Sequence, residues 1–181
     1  MFRFKKLEIE GSYLITPSVD MKSTCDLIKI FSDSQFNIYG LSTEFKEEYY
    51  AIAKSGVVRG MHFQLPPEEQ DKIITCILGE IQDVIIDLRK DSKTYGKYAS
   101  VKLDEYNKNM IYIPKGCAHG YYIKGNKEAL IYYKVTKPFI KELKGGISYK
   151  SLNINWDFKD EVEIEEEDKE LPLFEDFNNP F

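Results

Sequence analysis

The chain has 181 residues and a mass of 21.1 kDa, enough to bury roughly 70% of its unfolded surface in one core, so a single domain over residues 1–181 is expected. Twenty-five basic against 30 acidic residues give a net charge of -5, and the acidity is densest from Glu161 to Glu170; non-specific nucleic-acid binding, which needs a basic surface, is excluded, while a compact basic pocket could still take a diphosphate. Three cysteines without CxxC spacing support neither a disulfide framework nor a zinc ribbon, and with no signal-peptide core and no run near ~20 apolar residues the chain reads as cytoplasmic, away from membranes.

In chain order, short β-branched and aromatic runs recur at Tyr13–Thr16, Ile73–Ile77, Ile81–Leu88, Ala99–Leu103, Met110–Ile113 and Ala129–Val135. Turn signals separate them, among them Leu78-Gly79-Glu80, Lys115-Gly116 and Lys124-Gly125-Asn126. That pattern predicts an all-β sandwich or barrel, closed or nearly so. Helical periodicity is weak, and the two candidate helices are Thr24–Ser32 and a short acidic segment near Glu165–Glu170. From about Asp157 the composition turns acidic, then apolar at Leu171, Leu173 and Phe174, which predicts docking. The polar, Pro-ended stretch from Asn178 leaves two outcomes open, docking or partial disorder.

The chain holds only two histidines, both beside glycine in β-rich sequence. In Gly56–Gln64, GVVRGMHFQ, Arg59 and His62 are at odd separation, so both can line one pocket only if Gly60 bends or bulges the strand. Arg59 and Lys72 gather positive charge around a titratable imidazole, a setting that attracts an anion. An HxH pair here would suggest a divalent metal; the second position is Gln64, so no metal is expected. His119, in AHGY, either satisfies a buried carbonyl or faces a ligand. Only one of Tyr132 and Tyr133 can face a pocket. Asp83 and Asp87 share a face of a largely buried strand, so each needs a partner such as Arg89, His119 or a backbone donor. Asp168, inside the acidic segment, looks solvated by local sequence.

Taken together, GVVRGMHFQ, Asp71-Lys72, the stretch Gly79–Tyr98, IPKGCAHGY at Ile113–Tyr121 and YKVT at Tyr133–Thr136 resemble the RmlC family. Its members are dTDP-4-dehydrorhamnose 3,5-epimerases and relatives acting on other nucleotide-linked 4-keto sugars. The resemblance spans about residues 10–175. It implies a cupin-like jelly roll with a few short helices, a homodimer with contacts exchanged near the N-terminal strands, and no metal or organic cofactor. It makes His62 the base, Tyr133 the acid, and Lys72 the cation near the developing oxyanion. Asp168, ahead of Leu171-Pro172-Leu173, becomes the carboxylate that orients the base, and Arg59, Gln64 and His119 fall at substrate-binding positions.

The chain departs from the family pattern at several places. Phe139 stands for a stacking tyrosine, Lys22 lies in a degraded D-x-R-G motif, and Glu47 and Tyr49 replace Gln and Asn. Lys144 replaces a glutamate, and Glu167 a lysine. The loop between Gly146 and Trp156 is also shorter. These changes fall on the substrate side, so the expected substrate is either a dTDP-4-dehydro-6-deoxyhexose or a GDP-linked heptose used for surface polysaccharide, with inversion at C3 and an open question at C5. Two alternatives compete: a 3,4-ketoisomerase on the same fold, which tends to carry two histidines on the catalytic strand, and a non-catalytic sugar-nucleotide binding module.

Overall fold

A computed structural model describes residues 1–158 and 161–181; the acidic segment from about 157 therefore includes two residues, Lys159 and Asp160, outside the described set. Two antiparallel sheets face each other in a cupin-like jelly roll. The first is ordered β1 (Arg3–Lys6), β2 (Tyr13–Thr16), β10 (Met110–Ile113), β7 (Lys72–Leu78), β12 (Ala129–Val135) and β5 (Glu47–Ala53). The second runs β13 (Lys144–Gly146), β6 (Val57–Gln64), β11 (Cys117–Ile123), β8 (Glu80–Asp87) and β9 (Tyr98–Asp104), with β14 (Glu163–Ile164) joining β6 in parallel. The strand expectations match these elements closely.

The central core between the sheets is aliphatic, built on residues such as Ile74, Ile81, Ile85, Leu103, Ile111 and Ile131. Each sheet is also covered outside. Helix α1 (Asp33–Ile38) sets Phe36 on Phe2 and Phe4 against the first sheet. The C-terminal segment covers the second sheet, which explains why β8 is apolar without alternation: both of its faces are buried.

Two expectations change. The predicted helix Thr24–Ser32 is instead β4 (Asp26–Lys29), paired with β3 (Ser18–Met21) in a hairpin apart from both sheets. Cross-strand pairing such as Val19 with Ile28 satisfies the backbone, and the helix starts only at Asp33, where Phe36 can be buried. The chain end docks rather than fraying. Phe177 and Phe181 pack on Phe63 at ring distances of 5.2 and 5.3 Å, and Asn179 donates to the Leu88 carbonyl at 2.6 Å.

The second sheet is bulged where the sequence called for it. His62 is opposite His119 and Arg59 is opposite Tyr121, so Gly60 and Met61 together face the single residue Gly120. That extra residue turns Arg59 and His62 to the same side. Only glycine fits at the bulge: Gly60 has φ +111°, and a Cβ there would meet the Gly120 Cα at 2.6 Å and the His119 carbonyl at 2.7 Å. Gly60→Ala is expected to cost about 2–4 kcal/mol in urea unfolding. Gly56→Ala, also at positive φ but with nothing within 4 Å of the added Cβ, is expected to cost about 1 kcal/mol; equal losses would remove the close approach as the cause.

Candidate active site

A cavity of about 490 Å³ opens between the sheets, and both supply its walls. From the second sheet come Arg59, His62 and Gln64 on β6 and His119 and Tyr121 on β11. From the first come Lys72 on β7, Tyr133 on β12, and Glu47 and Tyr49 on β5. Phe139, Lys141, Lys144 and Glu167 complete the rim.

His62 is held by a residue 106 positions away. Its Nε2 shares a 2.5 Å hydrogen bond with Asp168 Oδ1, while Asp168 Oδ2 accepts from the Gly60 backbone N–H at 2.8 Å. Asp168 sits in the one-turn helix α2 (Glu166–Lys169) and is 1% exposed, so the local reading of it as a solvated charge fails. Burial alone would raise its carboxyl, but the hydrogen bond and charge of His62 and the Gly60 N–H hold it below the ordinary 3.8. His62 is lowered from 6.5, first by burial, with Lys144 and Lys72 adding to that and Asp168 opposing it. The imidazole is therefore neutral at pH 7, with Nδ1 making no hydrogen bond among the described residues.

His119 is satisfied by a buried carboxylate rather than by a carbonyl. It lines the cavity, and its Nε2 bonds Asp83 Oδ2 at 2.7 Å, with Asp83 fully buried and its Oδ1 unpartnered. Burial raises the Asp83 carboxyl against the pull of His119 and Lys72. Asp87 finds Arg89, Ser92 and Thr94, as its buried strand required. Two His–Asp pairs thus stand side by side on neighbouring strands.

Tyr133 is the tyrosine that faces inward; Tyr132 points outward and donates to Glu48. The Tyr133 ring stacks on Tyr49 at 4.9 Å and meets His119 edge-on at 6.3 Å. Burial, with Tyr121 beside it, pushes its hydroxyl well above 10, so it keeps its proton through the physiological range. The Lys72 ammonium makes no hydrogen bond among the described residues, and burial pulls it down to about 8 despite the attraction of Asp83. Arg59 lines the same cavity and leaves its Nε buried without a partner. Both basic side chains border one space, with Arg59 hydrogen-bonded to Tyr121.

Other expected binding residues divide. Glu47, Tyr49, Phe139 and Lys144 do line the cavity, and Glu47 accepts the Phe139 backbone N–H at 3.0 Å. Gln64 reaches the cavity but spends its amide on the chain: it donates to the Glu68 and Pro138 carbonyls and accepts from Ile140 N. Its function is to hold the segment that carries Phe139, a job shared with buried Gln70, which the sequence reading missed. Lys22 does not line this cavity; it lies beside Asp20 on the β3–β4 hairpin, which projects from the sheets. Tyr121 was also missed, although its spacing of two from His119 on one strand was a usable signal.

Among the described residues, His62, Glu167 and Asp168 are the set whose donor atoms lie close enough for a metal, within 4.8 Å. Their atoms are already committed, with Asp168 on His62 and Gly60 and Glu167 ion-paired to the Lys144 ammonium. A cation at that position suits an anionic ligand better than a metal ion.

The cavity of this jelly roll thus gathers two His–Asp pairs, an inward tyrosine and several basic side chains. The family model described as dTDP-4-dehydrorhamnose 3,5-epimerase matches residues 6–176, and the chain belongs to that family. A dTDP-4-dehydrorhamnose 3,5-epimerase of Methanothermobacter thermautotrophicus is 34% identical over 172 residues, 93% of this chain and 92% of its own. The crystal structure of the Elizabethkingia anophelis enzyme superposes with a TM-score of 0.92 at 28% identity, covering 98% of each chain. That of Legionella pneumophila, in complex with dTDP-4-keto-L-rhamnose, gives 0.90 at 27% identity, covering 96% of this chain and 93% of that one.

The Lys72 ammonium costs stability in the empty protein. A lysine whose folded value lies near 8 against 10.5 unfolded favours unfolding at pH 7, and the penalty fades as pH rises from 8 toward 10.5. Lys72→Met is expected to stabilise the ligand-free protein by about 1–2 kcal/mol at pH 7, with the gain shrinking at pH 10. Destabilisation at pH 7 in thermal unfolding would mean that the ammonium has a partner in the fold.

Proposed function

We propose that the protein epimerises a nucleotide-diphospho-4-keto sugar, with a dTDP-4-dehydro-6-deoxyhexose as substrate. The observation that carries this reading is the placement of neutral His62 and protonated Tyr133 on opposite sheets across one cavity. The C4 ketone of such a sugar acidifies the C–H bonds at C3 and C5, because the electrons released can delocalise onto the ketone oxygen. His62 takes the proton from one face of the ring, and Tyr133 returns one from the other, which inverts the carbon. Lys72 is the charge that stabilises the enolate oxygen between the two steps, below the pH where it loses its own proton.

Asp168 serves this chemistry by fixing the tautomer: with Nε2 turned to the carboxylate, Nδ1 is left to act as base. Arg59 and His119 hold the substrate from the second sheet, and the aromatic rings of Tyr49 and Phe139 offer faces to sugar or nucleobase. The names of the relatives support the dTDP-linked substrate. Cavity positions Glu47, Tyr49, Phe139 and Lys144 differ from the family pattern, and they favour a second reading in which the sugar or nucleotide differs, a GDP-linked heptose being the alternative.

Incubation with the dTDP-4-keto sugar in deuterated water reads the reaction directly by NMR. Deuterium is expected at C3, and its presence or absence at C5 decides between double and single inversion. His62→Asn is expected to lower incorporation by at least ~10³-fold, while Tyr133→Phe suppresses inversion more than exchange. Unimpaired exchange in His62→Asn would assign the base elsewhere, and a displaced carbonyl would make the protein a ketoisomerase.

A further inference from the structure

Lys144 and Glu167 were read from sequence as separate departures, yet they meet. The Lys144 ammonium on β13 forms an ion pair with the Glu167 carboxylate on α2. The pair has two connections to the base. Glu167 immediately precedes Asp168, and its carboxylate lies within 4.8 Å of donor atoms of both Asp168 and His62. Lys144 starts the strand that pairs with β6, placing Gly146 opposite His62. Between them the two side chains cross the gap from that strand to the helix carrying Asp168.

We propose that the Lys144–Glu167 pair is a positioning device for the proposed base: it ties α2 to β13, keeps Asp168 on His62, and sets the charge at the lip of the cavity. Neither residue touches the reacting atoms in this account. The need for such a tie is visible in α2 itself, which is one turn long, has no side-chain cap, and contacts β6 mainly through Asp168. A partly exposed pair adds little to global stability, about 0–1 kcal/mol. Its leverage is local, through the geometry and charge seen by one imidazole.

The charged groups facing His62 are Asp168 and Glu167 from α2, Lys144 from β13, Lys72 from β7, and Arg59 on its own strand, with His119 on β11 paired to Asp83 on β8. Removing Lys144 deletes a cation and frees an anion, so both changes favour the imidazolium. Removing Glu167 does the reverse. The two single substitutions must therefore move His62 in opposite directions, which simple loosening of α2 would not do.

With two histidines in the chain, the His62 Cε1–H resonance is resolvable by proton NMR and assignable with His62→Asn. In Lys144→Met its titration is expected to move up by about half a unit, and in Glu167→Gln down by about the same. The proposal rests on His62 being the base, but this titration needs no substrate, so it can fail while the epimerase reading stands. In the exchange assay, each single variant is expected to lose about 3–10-fold in kcat with KM little changed, and Lys144→Glu/Glu167→Lys, which restores the tie with its charges exchanged, to recover most of kcat. Shifts in the same direction, shifts below the resolution of the titration, or a double variant no better than the worse single would each overturn the positioning role.

Discussion

One buried carboxylate organises the site. Asp168 binds the Gly60 N–H with one oxygen and His62 with the other, and a carboxylate that is 1% exposed is tolerable only with such partners. The Gly60 donor is available because the outer edge of β6 is divided: β14 pairs with Val57 and Val58, β13 with His62 to Gln64. The bulge falls in between. It thus does two jobs, turning Arg59 and His62 into one cavity and presenting the backbone donor that anchors the carboxylate bound to His62. Glycine at both Gly60 and Gly120 lets the strands approach closely enough for this geometry.

Charge in the cavity follows a consistent arrangement. Arg59, Lys72, Lys141 and Lys144 face the space, while Asp83 and Asp168 lie behind the two histidines. The buried carboxylates orient imidazoles, and of the forward cations Lys144 is tied to Glu167 while the Lys72 ammonium has no hydrogen-bond partner among the described residues. Desolvation is the common lever: it lowers His62 and Lys72 and raises Tyr133, so that a neutral imidazole, a labile ammonium and a protonated phenol coexist near neutrality. These are costs in the empty protein, of the kind that active sites carry.

The fold was largely legible because most strands pack on a core with an apolar run that local pattern reveals. The hairpin β3–β4 escaped since its residues are exposed and pair only with each other, so Leu27 and Ile28 carry no burial signal. The strand bend at Gly60 followed from the parity of Arg59 and His62, and the partners of Asp83 and Asp87 from burial alone. Asp168 did not follow from local sequence; a partner 106 residues distant is visible only through resemblance or structure. The same holds for Gln64, whose amide turned out to tether a loop, and for the pairing of Lys144 with Glu167.

The most direct test of the account is Asp168→Asn, assayed for deuterium incorporation at C3 and for thermal stability. The amide oxygen can still accept from Gly60, but the amide nitrogen would donate to His62 and fix the wrong tautomer. Exchange is expected to fall by about 10²–10⁴-fold with the folded structure retained. Near-normal exchange in a folded variant would contradict the claim that this carboxylate sets the base.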